Sequence, residues 1–137
     1  MKISTRGRYA LRVMIDLAEH IDKGYVPMKE VAARQGVSLK YLERIMPSLK
    51  KNRLVEGVHG IGGGYRLSKR PEEYTVGEIL RTTEGDIAPV ACLECKSEPC
   101  QRKSDCKTFS MWNRFYEMTN DYFDNITIAD FLEKKEK

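Results

Sequence analysis

The chain has 137 residues, which suits one domain with room for an appended element. It is 41% hydrophobic, enough for one core, and 32% charged, which fits a soluble protein. The formal charge of +4 is a mild bias toward polyanions and fits many other soluble proteins equally well.

No apolar run approaches the roughly 20 residues that a membrane span needs. Arg12, Asp16 and Glu19 interrupt what would be the apolar core of a signal peptide. A cytoplasmic protein is expected. Its four cysteines then sit where disulfides are rare. They cluster within fifteen residues, which favours metal ligation or redox chemistry over a structural bridge.

Ala10, Val13, Met14, Leu17, Ala18 and Ile21 recur at helical spacing and predict a first helix from Thr5 to Ile21. Gly24 ends it. Met28 to Arg34 reads as a short second helix with Val31 and Ala32 inward, stopped by Gly36. Val37 falls in the turn, and Ser38 is a good N-cap for a third helix. Leu39, Leu42, Ile45, Met46 and Leu49 form the apolar stripe of that helix. Pro47 is expected to kink or break it, because its ring removes a hydrogen bond and meets the preceding turn.

Residues 54–58 and 65–67 alternate around a glycine-rich turn at 59–64 and predict a β-hairpin. Thr75 and Glu78 read as a capping box opening a fourth helix. Residues 86–105 carry Pro89, Pro99 and three of the cysteines, with little periodicity, and read as a loop. From Cys106 to Asn125 periodicity returns, with Trp112, Phe115, Met118, Tyr122 and Ile126 on one stripe and Met111 and Phe123 beside it. That stripe reads as core or dimer seam. Thr127 and Asp130 cap a final short helix.

Two short helices joined by a tight turn and followed by a hairpin have the order of a winged helix-turn-helix. The fold expected is mainly α with a small β-hairpin, a winged helix-turn-helix plus a long C-terminal helix. The division expected is a DNA-binding domain over 1–85, a cysteine-bearing loop over 86–106, and a long helix with a short terminal helix over 107–137. In such folds the second helix of the pair enters the major groove with its N-terminal residues at base edges. Here those are Ser38, Lys40, Tyr41, Glu43 and Arg44. Ser bonds any base, Glu accepts from cytosine, and Lys and Arg favour guanine or phosphate.

The turn carries His59, Gly60 and Gly62, whose amides can approach phosphate closely, while His59 with Arg66 nearby can probe the minor groove. The same glycines also suit a tight hairpin and nothing more. They form no nucleotide-binding loop, since a strand rather than a helix follows. Lys2, Arg6, Arg8, Arg12, Lys40, Arg44, Lys50, Lys51 and Arg53 gather in the first 53 positions, as phosphate contacts require. A solvated basic face would have the same composition.

Cys92, Cys95, Cys100 and Cys106 are spaced x2, x4 and x5. Structural zinc sites usually pair two close knuckles across a longer gap. Iron–sulfur ligation tolerates thiolates borne on one loop. A zinc site and a thiol redox switch stay open beside it. Cys106 is expected in the first turn of the long helix, where the dipole favours thiolate. An enzyme is not expected: His20 and His59 are the only histidines, and neither is near a serine or cysteine nucleophile in sequence. A zinc-stabilised protein-interaction module is a third class, against which the basic first 53 residues argue.

Residues 2–10 (Lys-Ile-Ser-Thr-Arg-Gly-Arg-Tyr-Ala), Tyr41-Leu42-Glu43, Gly62-Gly63-Gly64-Tyr65, Thr75-Val76-Gly77-Glu78-Ile79 and Asn125-Ile126-Thr127 together resemble the IscR, NsrR, RirA and CymR family of bacterial regulators. The resemblance spans nearly the whole chain and is closest to the iron–sulfur IscR- and RirA-like members. It implies a homodimer on palindromic double-stranded DNA, with the long C-terminal helix of 107–137 as the dimerisation helix packing against its partner. It also implies a [2Fe-2S] cluster, favoured over [4Fe-4S], held by three cysteines and a fourth ligand. Cys100 and Cys106 match the last two family cysteines. Cys92 matches the RirA-like first position and Cys95 lies nearer the IscR-like one, so Cys92 is favoured, with Cys95 a possible fourth thiolate.

The chain departs from the family in three places. Phe109 stands where IscR-like members carry a histidine ligand, Arg8 where NsrR-like members carry an acid, and His59 where IscR-like members carry a wing arginine. The fourth ligand is thus open among Cys95, Glu43 or another acid, and a small molecule. The CymR-like branch lacks the cluster cysteines, which argues against a cysteine-metabolism role by that route. The function expected is a DNA-binding transcription regulator sensing cluster, iron or redox status. The alternative is a zinc- or thiol-based regulator of the same fold.

Overall fold

A computed structural model of the chain describes residues 3–94, 102 and 104–132. Six α-helices and one two-stranded sheet are found among them: α1 Thr5–Glu19, α2 Met28–Gln35, α3 Leu39–Lys51, β1 Val55–Val58, β2 Gly64–Leu67, α4 Val76–Glu84, α5 Phe109–Asp124 and α6 Ile128–Leu132.

α1 begins where Ser4 accepts a hydrogen bond from the Gly7 amide through its side chain. Ala10, Val13, Met14, Leu17 and Ala18 of this helix are buried. It ends at Glu19, and Ile21 opens a separate 3-10 turn, 45% exposed, so the expected extension to Ile21 does not form. α2 buries Met28, Val31 and Ala32 and closes on Gly36 at φ 67°, a left-handed position that suits a residue without a Cβ. Ser38 then caps α3 by accepting from the Tyr41 amide.

Pro47 does not break α3, which runs from Leu39 to Lys51. The ring is exposed, so the hydrogen bond it removes lies on the solvent side, where water can satisfy the Glu43 carbonyl. Buried Met46 and Leu49 hold the helix on the core at both sides of it. Leu39 is 36% exposed and leaves the inward stripe to Leu42, Ile45, Met46 and Leu49.

The sheet is an antiparallel hairpin pairing Val55 with Leu67 and Val58 with Gly64. Val26, in the α1–α2 connection, joins it through an isolated bridge to Tyr65. Tyr74 is fully buried and organises this corner. Its hydroxyl donates to the Leu54 carbonyl at 2.6 Å and accepts from the Ser68 and Lys69 amides at 2.9 and 3.0 Å. Burial pushes its ionisation above the ordinary value.

Thr75 caps α4 by accepting from the Glu78 amide at 3.0 Å, while the Glu78 carboxylate lies 3.6 Å from Lys69 Nζ. The Thr127–Asp130 box closes in both directions, at 2.8 and 3.2 Å. α6 brings Ile128 into the main core, and a smaller cluster of Val76, Leu80 and Ile87 receives Tyr116, Phe123 and Ile126. The single stripe expected on α5 is therefore two faces. Tyr116 and Phe123 turn to the body, whereas Met111, Phe115, Met118 and Tyr122 are 44–66% exposed. Among the described residues no helix is long and apolar enough to cross a membrane.

Candidate DNA-binding face and cysteine loop

The α3 N-terminus stands beside the start of α1. Ser4, Thr5, Arg6, Tyr41, Arg44 and Ile45 line one cleft of about 580 Å3 there. Three of the residues proposed from sequence, Arg6, Tyr41 and Arg44, thus meet at one place. Ser38, Lys40, Glu43 and Arg44 are all exposed, and Tyr41 is half-buried. Arg8 is exposed and donates to Thr5 Oγ1 at 3.0 Å.

The cations divide into two groups. Arg34 pairs with Asp16 at 2.7 Å, Arg66 with Glu56 at 3.0 Å, Arg70 with Glu73 at 3.1 Å and Arg81 with Asp124 at 2.9 Å. Among the described residues, Arg6, Lys40, Arg44, Lys50 and Lys51 face solvent as cations outside any ion pair. Phosphate neutralisation draws on cations of the second kind, because they have no carboxylate to release. Arg66, grouped by sequence with His59 as a groove probe, lies 4.5 Å over the Tyr25 ring besides its Glu56 pair. Lys2 lies outside the described residues.

The hairpin tip carries His59, Gly60 and Gly62, all exposed. Gly60 and Gly62 adopt φ of 91° and 79°, and the Gly63 amide donates to the Gly60 carbonyl at 3.0 Å. Ile61 projects wholly into solvent between them. Sequence periodicity could not mark it, since turns carry no facing pattern.

Of the four cysteines, Cys92 and Cys106 are described and both are free thiols, Cys92 half-buried and Cys106 exposed. Cys95 and Cys100 lie outside the described residues. Among the described residues no three potential metal ligands converge. Cys106 precedes α5 rather than lying in its first turn, because the helix starts at Phe109 behind the N-cap Thr108. The expected thiolate bias holds with a different main cause. A hydrogen bond with the Thr108 hydroxyl, at 3.5 Å, comes first, then the amides of Thr108 and Phe109, and together they hold the thiol below its ordinary range. That donor chemistry fits a thiolate-ligated group. Glu43 lies on α3, exposed, and Phe109 opens α5.

Sequence reasoning missed the residues that hold this face in place. Tyr9 packs edge-on against Tyr41, and Gln35 bonds Arg12 and Asp16. Asp16 is 1% exposed. Burial alone would raise its carboxyl, but hydrogen bonds from Arg34 and Gln35 and the Arg34 charge outweigh this and hold it below 3.8. A lone acid within an apolar period was the available signal.

The chain is 36% identical over 136 residues to the HTH-type transcriptional regulator IscR of Pectobacterium atrosepticum, covering 99% of this chain and 82% of that one. Among solved structures it is similar to CymR of B. subtilis, described as its global cysteine regulator, with TM-score 0.80 at 34% identity over 99% of both chains. It is also similar to T. potens IscR, with TM-score 0.77 at 35% identity over 99% of this chain and 89% of the other. The model of the Rrf2 family, described as an iron-dependent transcriptional regulator, matches residues 3–134. The chain belongs to the Rrf2 family and is a winged-helix transcription regulator, not an enzyme.

Proposed function

We propose that the chain works as a cytoplasmic homodimer that reads a palindromic operator and reports on iron–sulfur, iron or redox status through its cysteine loop. The division of labour is the one expected from sequence: 1–85 for DNA, 86–106 for sensing, 107–137 for dimerisation. The observation that carries the DNA part is the cleft joining Arg6, Tyr41 and Arg44 at the N-terminus of α3. Lys40 and Arg44 of α3 are uncompensated cations, Ser38 and Glu43 are exposed beside them in sequence, and on the hairpin tip His59, Gly60 and Gly62 are exposed polar or small positions. Arg6 and Arg8 at the start of α1 are assigned to phosphate.

Cys92, Cys100 and Cys106 are the proposed ligands of a [2Fe-2S] cluster, with Cys95 a possible fourth. Support comes from the thiolate-favouring surroundings of Cys106 and from relatives named IscR. Such a cluster supplies an iron- and redox-responsive group when bound. The chain's own residues tie the loop to the rest of the protein. Just before it Glu84, the last residue of α4, accepts from Ser4, and at its first residue Asp86 accepts from the Tyr116 hydroxyl at 3.0 Å. At its end Cys106 leads into α5. Ordering of the loop can thus bear on both α1 and α5, and it shifts DNA affinity only by its differential fit to two arrangements.

The test is anaerobic purification with iron and sulfide counts and a visible spectrum. Iron and sulfide in near-equal amounts with charge-transfer bands are expected. A colourless protein with one zinc per chain would instead support a zinc-based regulator of the same fold, and a metal-free one a thiol switch. The similarity to CymR keeps that second reading in play. For DNA, Glu43→Ala is expected to change base preference more than non-specific affinity, and an equal change in both would make its role structural.

A further inference from the structure

By sequence Arg12 belongs with the basic residues of the first 53 positions. In the fold Arg12 is exposed, and its guanidinium bonds the protein's own groups. Nε donates to Gln35 Oε1 at 3.0 Å, and Nη2 donates to the Gln35 carbonyl. Its Cζ lies 5.1 Å from the centroid of the Tyr9 ring. That ring meets Tyr41 edge-on, with centroids 5.6 Å apart and planes at 85°. Gln35 closes the circuit on the other side, donating from Nε2 to Asp16 Oδ2 at 2.9 Å.

The position of each contact matters. Gln35 is the last residue of α2, so its carbonyl has no partner within the helix. Arg12 supplies that partner at the point where the chain enters the turn to α3. Tyr41 is the third residue of α3 and the only aromatic one at its N-terminal end. Edge-to-face rings favour one mutual orientation, so Tyr9 fixes how Tyr41, and α3 with it, stands on α1. One chain of contacts from Asp16 through Gln35, Arg12 and Tyr9 to Tyr41 thus spans all three helices.

We propose that Arg12 and Tyr9 are positioning residues for operator reading: they set the α2–α3 turn and the Tyr41 ring, and thereby the seating of α3 in the groove, without contacting phosphate. This rests on the reading of α3 as the recognition helix. It separates two kinds of arginine on one basic face. A phosphate contact adds sequence-independent affinity and about 0.9 to the log–log salt slope. A positioning residue adds neither and acts on the preference for the specific site.

The test uses the full-length protein, a duplex that the wild type enriches from a random-sequence pool, and the same duplex scrambled. Arg12→Ala is expected to lower the specific-to-scrambled affinity ratio roughly tenfold, about the worth of one good base contact. The salt slope on the scrambled duplex should stay unchanged. Arg12→Lys keeps the charge but not the planar fork and should behave like Arg12→Ala. Tyr9→Phe should match the wild type. Tyr9→Leu should lose the ratio with the Arg12–Gln35 bonds intact, which keeps the proposal testable if Arg12→Ala fails to fold. A slope reduced by about 0.9 with an unchanged ratio, or full rescue by Arg12→Lys, overturns the proposal. If Lys40→Ala and Arg44→Ala leave both slope and ratio unchanged, the recognition-helix reading itself has failed, which is a different signature.

Discussion

Glu84 Oε2 accepts hydrogen bonds from both the main-chain amide and the hydroxyl of Ser4, at 2.7 and 2.8 Å, across 80 residues of sequence. Ser4 is itself the N-cap of α1, so the last residue of α4 places a carboxylate at the positive end of the α1 dipole. A Cβ on Gly7 would overlap Glu84 Oε2. Gly7 is buried inside α1, where glycine is otherwise unfavourable, and this approach gives it a physical reason. The same carboxylate stands two residues before the cysteine loop, and its partner Ser4 lines the cleft of Arg6 and Arg44.

Glu84→Ala is expected to lower stability by about 1.5 kcal/mol, the sum of a lost cap partner and a lost dipole interaction. Gly7→Ala should cost a similar amount, because it displaces the same carboxylate. The double variant should cost clearly less than the sum of the two, since both changes break one contact. Urea unfolding of the four proteins measures this. Full additivity would mean that Gly7 and Glu84 act independently.

Arg81 holds α5 against α4. Its guanidinium donates to Asp124 Oδ1 and Oδ2 at 2.9 and 3.0 Å and to Asn120 Oδ1 at 2.7 Å. The hydrogen bond to Asp124 is the main reason its pKa is raised. Both partners of the ion pair are more than a third exposed, so solvent screens the pair. Arg81→Lys is expected to lose about 1 kcal/mol although the charge remains, since only the fork reaches three acceptors. Amide exchange in α5 should quicken while that in α3 stays the same. Equal quickening in both helices would show a general loss of stability instead.

The order of elements was legible in the sequence because short helices with clear caps leave local marks. Ser38, Thr75 and the Thr127–Asp130 pair each satisfy specific amides, and Gly36 takes the one backbone conformation that favours it. Pro47 misled because a proline costs a helix little when its lost bond faces water. The exposed residues of the DNA face could be named from position in the motif. Which cations are free could not, because pairing depends on contacts such as Arg34–Asp16, 18 residues apart, and Arg12–Gln35, 23 apart. Glu84 was missed for the same reason, its partner Ser4 lying 80 residues away, and Tyr74 because it breaks no period and its hydroxyl donates to Leu54, 20 residues away. On α5, apolar spacing alone could not divide residues facing the body from those facing solvent.

Asp16 makes stability pH-dependent in a predictable direction. Its carboxyl is held below the ordinary 3.8, so its pairing with Arg34 and Gln35 contributes fully above that value. The contribution is lost as pH falls through the lower, folded value. Asp16→Asn should therefore destabilise by about 2 kcal/mol at pH 7, the scale of hydrogen bonds to a charged group. The gap to the wild type should narrow below roughly pH 4, where the unfolded carboxyl binds a proton. Thermal melts of both proteins from pH 7 to pH 3 follow it. A gap that stays constant over that range would remove the carboxylate charge from the account.

Met111, Phe115, Met118 and Tyr122 recur at intervals of four, three and four along α5 and are 52%, 44%, 56% and 66% exposed. That spacing puts them on one face, opposite the residues that meet the body. A helix of this length runs about 24 Å, enough for one self-complementary crossing with a second copy. If this face is the dimer seam, a charge at its middle must be buried without a partner. Met118→Glu should then weaken the dimer by about a hundredfold or more, while Met118→Leu leaves it nearly unchanged. The single-chain fold should survive both, because Met118 is largely solvent-exposed within one chain. Sedimentation velocity over a concentration series reads the mass, and operator affinity should fall with the dimer. A Met118→Glu protein that sediments as the wild type does would place the seam elsewhere.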